Sequence, residues 1–94
     1  MKWLKDAGDD LNSVEDYIKQ QDKPQTAVKI IIKIINTVEA LVDHPATGRV
    51  GRVEGTRELI ISGLPYIVPY RIRGNTVEIL RVLHTSRLWP ERFK

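Results

Sequence analysis

The 94-residue sequence contains no cysteine. That excludes a disulfide framework and any thiolate metal site. Histidine is nearly as scarce: His44 and His84 stand far apart, with no third ligand type clustered beside them. A zinc site is not expected, and neither is any cofactor. Long apolar runs are missing too. The most apolar stretch, Ala27 to Val42, is broken by Lys29, Lys33, Asn36, Thr37 and Glu39, which makes it too polar to span a bilayer. The first residues, Met1-Lys2-Trp3-Leu4-Lys5-Asp6, lack the apolar core of a signal peptide, so the expectation is a cytoplasmic protein with no membrane partner. Gly48, Gly51 and Gly55 are not followed by the Gly-Lys-Ser/Thr of a phosphate-binding loop, and a flexible connection is expected there.

What is present is ordinary for a globular chain: 41% hydrophobic and 29% charged residues. The length suits a single domain, 1–94, with one modest core. The net charge of +3 hides an asymmetry. Residues 1–44 carry six lysines against eight acids, and residues 45–94 carry eight arginines and one lysine against four acids. Arginine makes planar, paired hydrogen bonds to carboxylate or phosphate, whereas lysine is a hydrated point charge. The second half is therefore either a basic recognition surface or a sheet kept soluble by arginine.

Periodicity predicts two helices and then strands. Ala7, Leu11, Val14 and Ile18 fall on one face of a helix over 6–20. Asp6 is its expected cap, and Asp9 and Asp10 suit the positive end of its dipole. Pro24 opens a second helix over 24–43. Its stripe is Val28, Ile31, Ile35, Val38 and Val42, widened by Ile34 and Leu41. The short link predicts an antiparallel helical hairpin. Strands are expected over 57–62, 66–73 and 76–84, with a tight turn at Gly74-Asn75. Lys2 to Leu4 is a candidate extra strand. In the second main strand Tyr66, Val68, Tyr70 and Ile72 share a face, with Ile67, Pro69, Arg71 and Arg73 opposite. In the third, Leu80 and Val82 are expected on one face, and Val77, Ile79, Arg81 and Leu83 on the other. Pro69 has no N–H to give a ladder and should sit at an open edge or a bulge. The fold class is α+β: an N-terminal helical hairpin on a small, mainly antiparallel twisted sheet. The expected core includes Val28, Ile31, Ile35, Val38, Val68, Tyr70, Leu80 and Val82.

An ordered set of motifs resembles a known family. Ala7, Asp10-Leu11, Val14 and Tyr17-Ile18 are similar to the opening helix of RelE/ParE toxins. His44-Pro45-Ala46-Thr47-Gly48-Arg49 resembles their Pro-x-x-Gly-Arg loop. Gly55-Thr56-Arg57-Glu58-Leu59, then Pro65 through Ile72, resembles the paired middle strands, and Val77 through Arg87 the last strand and its exit. The resemblance covers nearly the whole chain. It implies the toxin of a type II toxin–antitoxin system, a cognate antitoxin partner, and a role in growth arrest and plasmid stabilisation.

Members of such a family divide by target. Some cut messenger RNA on the ribosome; others poison DNA gyrase without established catalytic residues. RNA cleavage through the 2′-hydroxyl needs a base, a cation and an acid. The positions that carry cations in nucleolytic relatives correspond here to Glu58, Ile60 and Ile67. None can hold phosphate charge, so gyrase inhibition is favoured over ribosome-dependent mRNA cleavage. If the chain is a nuclease, His84, Arg81, Arg87 and Arg57 are the substitute set. The expected contacts to target or antitoxin are Arg57, Arg71, Arg81, His84, Arg87, Trp89 and Phe93. The competing roles are cross-strand pairing of Arg57 or Arg71 to Glu58 or Glu78, and core cover for the two aromatics.

Overall fold

The computed structural model describes residues 1–87 and 89–93. Strand β1 (Lys2–Trp3) leads directly into helix α1 (Lys5–Gln21), and Asp22 and Lys23 separate it from α2 (Pro24–Glu39). The chain then forms β2 (Arg49–Val50), β3 (Arg57–Ile60), β4 (Tyr66–Arg73), β5 (Thr76–Ile79) and β6 (Leu83–His84). The sheet order is β1-β5-β4-β3-β2, with β6 also paired to β4. All pairings are antiparallel except β1 with β5. The expected α+β architecture is what forms, and Lys2–Trp3 does join the sheet.

Local chemistry explains the helix ends. Helix α1 begins one residue earlier than expected, after an extended Leu4 that offers no side-chain cap. Asp6 therefore lies in the first turn instead of capping it, where its charge still suits the helix dipole. Helix α2 starts at Pro24, whose missing N–H is no loss in a first turn. Its last expected residues tighten into a 3-10 turn, Ala40–Val42.

The buried stripe of α2 differs from the expected one by a rotation. Ala27, Ile34, Val38 and Leu41 are the buried positions, while Ile30 and Ile31 pack partly against the core. Val28 and Val42 are 48% and 60% exposed. Ile35 is only half-buried. With isoleucine or valine on every side of this helix, hydrophobicity alone cannot set its phase. The packing against α1 and the sheet sets it, and Ala27 allows the helices to approach closely. The helix-facing side of the sheet supplies Leu59, Ile61, Tyr66, Val68, Tyr70, Val77, Ile79 and Val82.

The third expected strand is broken by a bulge. Tyr70 pairs with Ile79 and Ile67 with Leu83. Two residues of β4, Val68 and Pro69, therefore face three, Leu80 to Val82. One extra residue shifts the alternation. Val82 joins Val77 and Ile79 on the helix side, and Leu83 moves to the opposite face with Leu80, reversing the expected sides of both. Pro69 explains the position. Its carbonyl accepts from Leu80 N at 3.0 Å, so its ring nitrogen faces the same neighbour and has no hydrogen to give. At the far end of β4, Gly74 takes φ +62° at the first position of the two-residue turn to β5, which glycine adopts without strain.

The rotated stripe makes a direct prediction. Ile34→Ala should cost about 2–5 kcal/mol, whereas Val28→Ala should stay within about 0.5 kcal/mol. Denaturant midpoints for the two variants test this ordering.

Candidate functional site

Three of the arginines expected to meet a partner are engaged within the chain. Arg81 Nε donates to Asp10 Oδ2 at 2.6 Å and its Nη2 to Oδ1 at 3.1 Å. Asp10 Oδ2 also accepts from Val82 N at 3.0 Å. The carboxylate thus holds the bulge against α1, a role beyond the dipole complement expected for it. Arg71 Nε donates to Glu78 Oε1 at 2.7 Å between residues directly opposite in the β4–β5 ladder. That hydrogen bond outweighs the partial burial of Glu78 and, with Arg73 near, holds its carboxyl below the usual range. Arg57 does not pair with Glu58. Its Nη1 donates to Gly48 O at 2.7 Å and reaches Ala46 O at 3.4 Å, which fastens the 45–48 loop to β3.

That loop is held at several points and is not the flexible connection expected. Tyr70 Oη donates to Pro45 O at 2.6 Å and accepts from Gly48 N at 2.8 Å. A Cβ on Gly48 would stand 2.6 Å from the Tyr70 ring and 2.9 Å from Glu58 O. A Cβ on Gly51 would collide with Thr56. These two glycines are places of close approach.

Glu58 is a second hub. Its side chain is 2% exposed. Arg49 Nη2 donates to it at 2.9 Å, Arg52 N at 2.8 Å and Arg52 Nε at 3.1 Å. Burial pushes this carboxyl up, but the Arg52 backbone N–H and the two guanidinium groups outweigh it and leave the group below its ordinary value. The same Arg52 lies 3.6 Å from the centre of the Trp89 ring, a cation–π contact. Phe93 shares a hollow with Leu4 and Leu80. Ile67, Pro69, Leu80 and Leu83 are buried away from the helix-facing core. Both aromatics are part-buried cover, and among the described residues Trp89 Nε1 has no hydrogen-bond partner. Residues 84–93 were the expected contact segment; Leu88 within it lies outside the described residues.

His84 and Arg87 meet in a groove of about 390 Å³ between α1 and β6. Tyr17, Tyr66 and the Asp10–Arg81 pair also line it. Tyr66 meets the His84 ring edge-on, with centroids 5.5 Å apart. Burial and the nearby Tyr17 push the Tyr66 hydroxyl up, against the opposing pull of Arg87. Of the substitute catalytic set, Arg81, His84 and Arg87 come together here, and Arg57 does not. The sequence reading missed Asp10 as the partner of Arg81, and Arg49 and Arg52 as partners of Glu58. Asp10 lies three residues after Ala7 and four before Val14, so an acid on the apolar face of α1 was the available signal.

A helical hairpin on this sheet, with arginines fixing its loops and a short strand after a bulge, defines a small RelE/ParE-like protein. Residues 1–89 match the family described as ParE toxin of type II toxin-antitoxin system, parDE. The Y4kP protein of Sinorhizobium fredii, named as a candidate toxin, is 41% identical over 91 residues, covering 97% of this chain and 93% of that one. A solved chain of the chromosomal ParDE system of P. aeruginosa matches with a TM-score of 0.84 and 30% identity, over 90% of this chain and 94% of that one. The chain belongs to the ParE toxin family.

Glu58 gives a pH prediction. Its folded value lies below its unfolded value, so the unfolded chain binds the extra proton in acid. The stability it contributes is full above the unfolded value, about 4.5, and is lost as pH falls through the folded value. Glu58→Gln should lower the denaturation midpoint at pH 7 and flatten its decline in acid relative to wild type. Parallel acid limbs for the two proteins would contradict this. Tyr70→Phe should separately cost about 1–3 kcal/mol, because it leaves the buried Gly48 N–H unpaired.

Proposed function

We propose that this chain is a toxin that arrests growth by binding DNA gyrase and is neutralised by a cognate antitoxin. It works as a single domain in the cytoplasm. The observation that carries this reading is the chemistry at the positions where nucleolytic relatives carry cations. Glu58 is saturated by Arg49 and Arg52. Ile60 is an apolar side chain, 52% exposed. Ile67 is buried. None of the three side chains is a cation, the Arg49 and Arg52 guanidinium groups beside Glu58 are engaged by its carboxylate, and charge stabilisation is usually the largest part of such catalysis. An exposed apolar residue on a sheet face suits a binding surface instead.

Ribosome-dependent mRNA cleavage is the second reading, favoured by one observation: Arg81, His84 and Arg87 line a common groove. Arg81 weakens it. Both of its donating nitrogens point at Asp10, and turning them to phosphate would strip the Asp10 carboxylate of its charge partner.

Purified protein should inhibit gyrase supercoiling and leave ribosome-bound messages uncut. Messages cut at the ribosomal A site, with cutting abolished by His84→Ala, would overturn the gyrase reading.

A further inference from the structure

The α1–β6 groove is built from donors. His84 Nδ1 accepts from Ser86 N at 3.1 Å. A backbone N–H can only donate, so the neutral ring carries its proton on Nε2 and offers that one N–H as a donor. Tyr17 and Ser13 add hydroxyls from α1, and Tyr17 is 54% exposed. Arg87 is exposed at the rim and, among the described residues, makes no ion pair. The one acid in the groove, Asp10, is already matched by Arg81 and Val82 N.

The backbone along this wall is also open. Thr85 N donates to Pro65 O at 2.9 Å, toward β4. Alternate residues of an antiparallel strand turn the opposite way. His84 N–H and Val82 C=O therefore face away from β4, on the α1 side. Val82 N already points there, to Asp10. A donor and an acceptor two residues apart match an extended polypeptide. They match a phosphodiester poorly, since it has no donor for Val82 C=O.

We infer that the α1–β6 groove is a subsite for an extended peptide segment carrying an acidic side chain, with the carboxylate held by Arg87 and the His84 ring. This deepens the antitoxin reading, on which it rests for the identity of the partner, by assigning one subsite and its chemistry. Of the four arginines expected to contact a target or antitoxin, Arg87 becomes the leading one, because Arg57, Arg71 and Arg81 are already used in holding the fold.

The test uses the isotope-labelled full chain and blocked tripeptides, acetyl-Ala-Glu-Ala-amide and its Gln counterpart. The Glu peptide should shift the amide resonances of Tyr17, His84 and Ser86 saturably, and bind about fivefold or more tighter than the Gln peptide. Arg87→Gln should remove that preference, and Arg87→Lys should keep part of it. Equal binding of the two peptides, displacement of the Glu peptide by equimolar inorganic phosphate, or an unchanged preference in Arg87→Gln would overturn the assignment. The titration needs no antitoxin. Failure of a cognate antitoxin to bind the wild-type chain would count against the antitoxin reading alone.

Discussion

The sheet depends on a hydrogen that Pro69 does not have. As the middle strand, β4 pairs with β3 on one side and with β5 and β6 on the other. A proline there would leave an acceptor unmatched in a regular ladder. The chain inserts one residue opposite it, and the displaced Val82 N–H goes to the Asp10 carboxylate. The same carboxylate neutralises Arg81. One acid on α1 thus completes the sheet's hydrogen bonding, fixes the helix to it, and offsets a part-buried guanidinium. Removing either partner of such a pair leaves the other uncompensated.

The bulge also creates the groove. It turns Arg81 and Val82 to the same side and sets off β6 as a separate two-residue strand. Among the described residues, the His84 N–H and the Val82 carbonyl consequently have no backbone partner on the α1 side. A structural necessity at Pro69 thus shapes the groove proposed as a peptide subsite, in keeping with the tendency of bulges to sit beside functional sites.

Arginine has two distinct uses in this protein. Arg49, Arg52, Arg57, Arg71 and Arg81 are ties: between β2 and β3, between loop and strand, across β4–β5, and from bulge to helix. Their planar forks fit carboxylate and carbonyl groups at fixed positions. The asymmetry of charge along the sequence is thus largely the bonding scheme of the sheet. Arg87, at the end of β6, is available for a partner. Electrostatic attraction of an acidic protein remains open to the second half of the chain, but it is focused on fewer groups than the composition suggested.

Sequence alone determined the two helices, the order and place of the strand segments apart from the break in the third, the Gly74-Asn75 turn and the family, because these rest on local spacing and on ordered motifs. It also marked Pro69 as a site of interruption, since the missing N–H is a property of the residue itself. The phase of α2 was decided only in the tertiary structure: apolar side chains surround that helix, and the surface that packs closest to α1 and the sheet selects Ala27, Ile34 and Val38. The faces of Val82 and Leu83 were decided there too, because a bulge of one residue has no signature in alternation until its partner strand is known. So were the roles of Asp10, Glu58 and the arginines, which join residues as far apart in sequence as 10 and 81. An ion pair of that kind is fixed by folding distance, and a sequence records charge without recording distance.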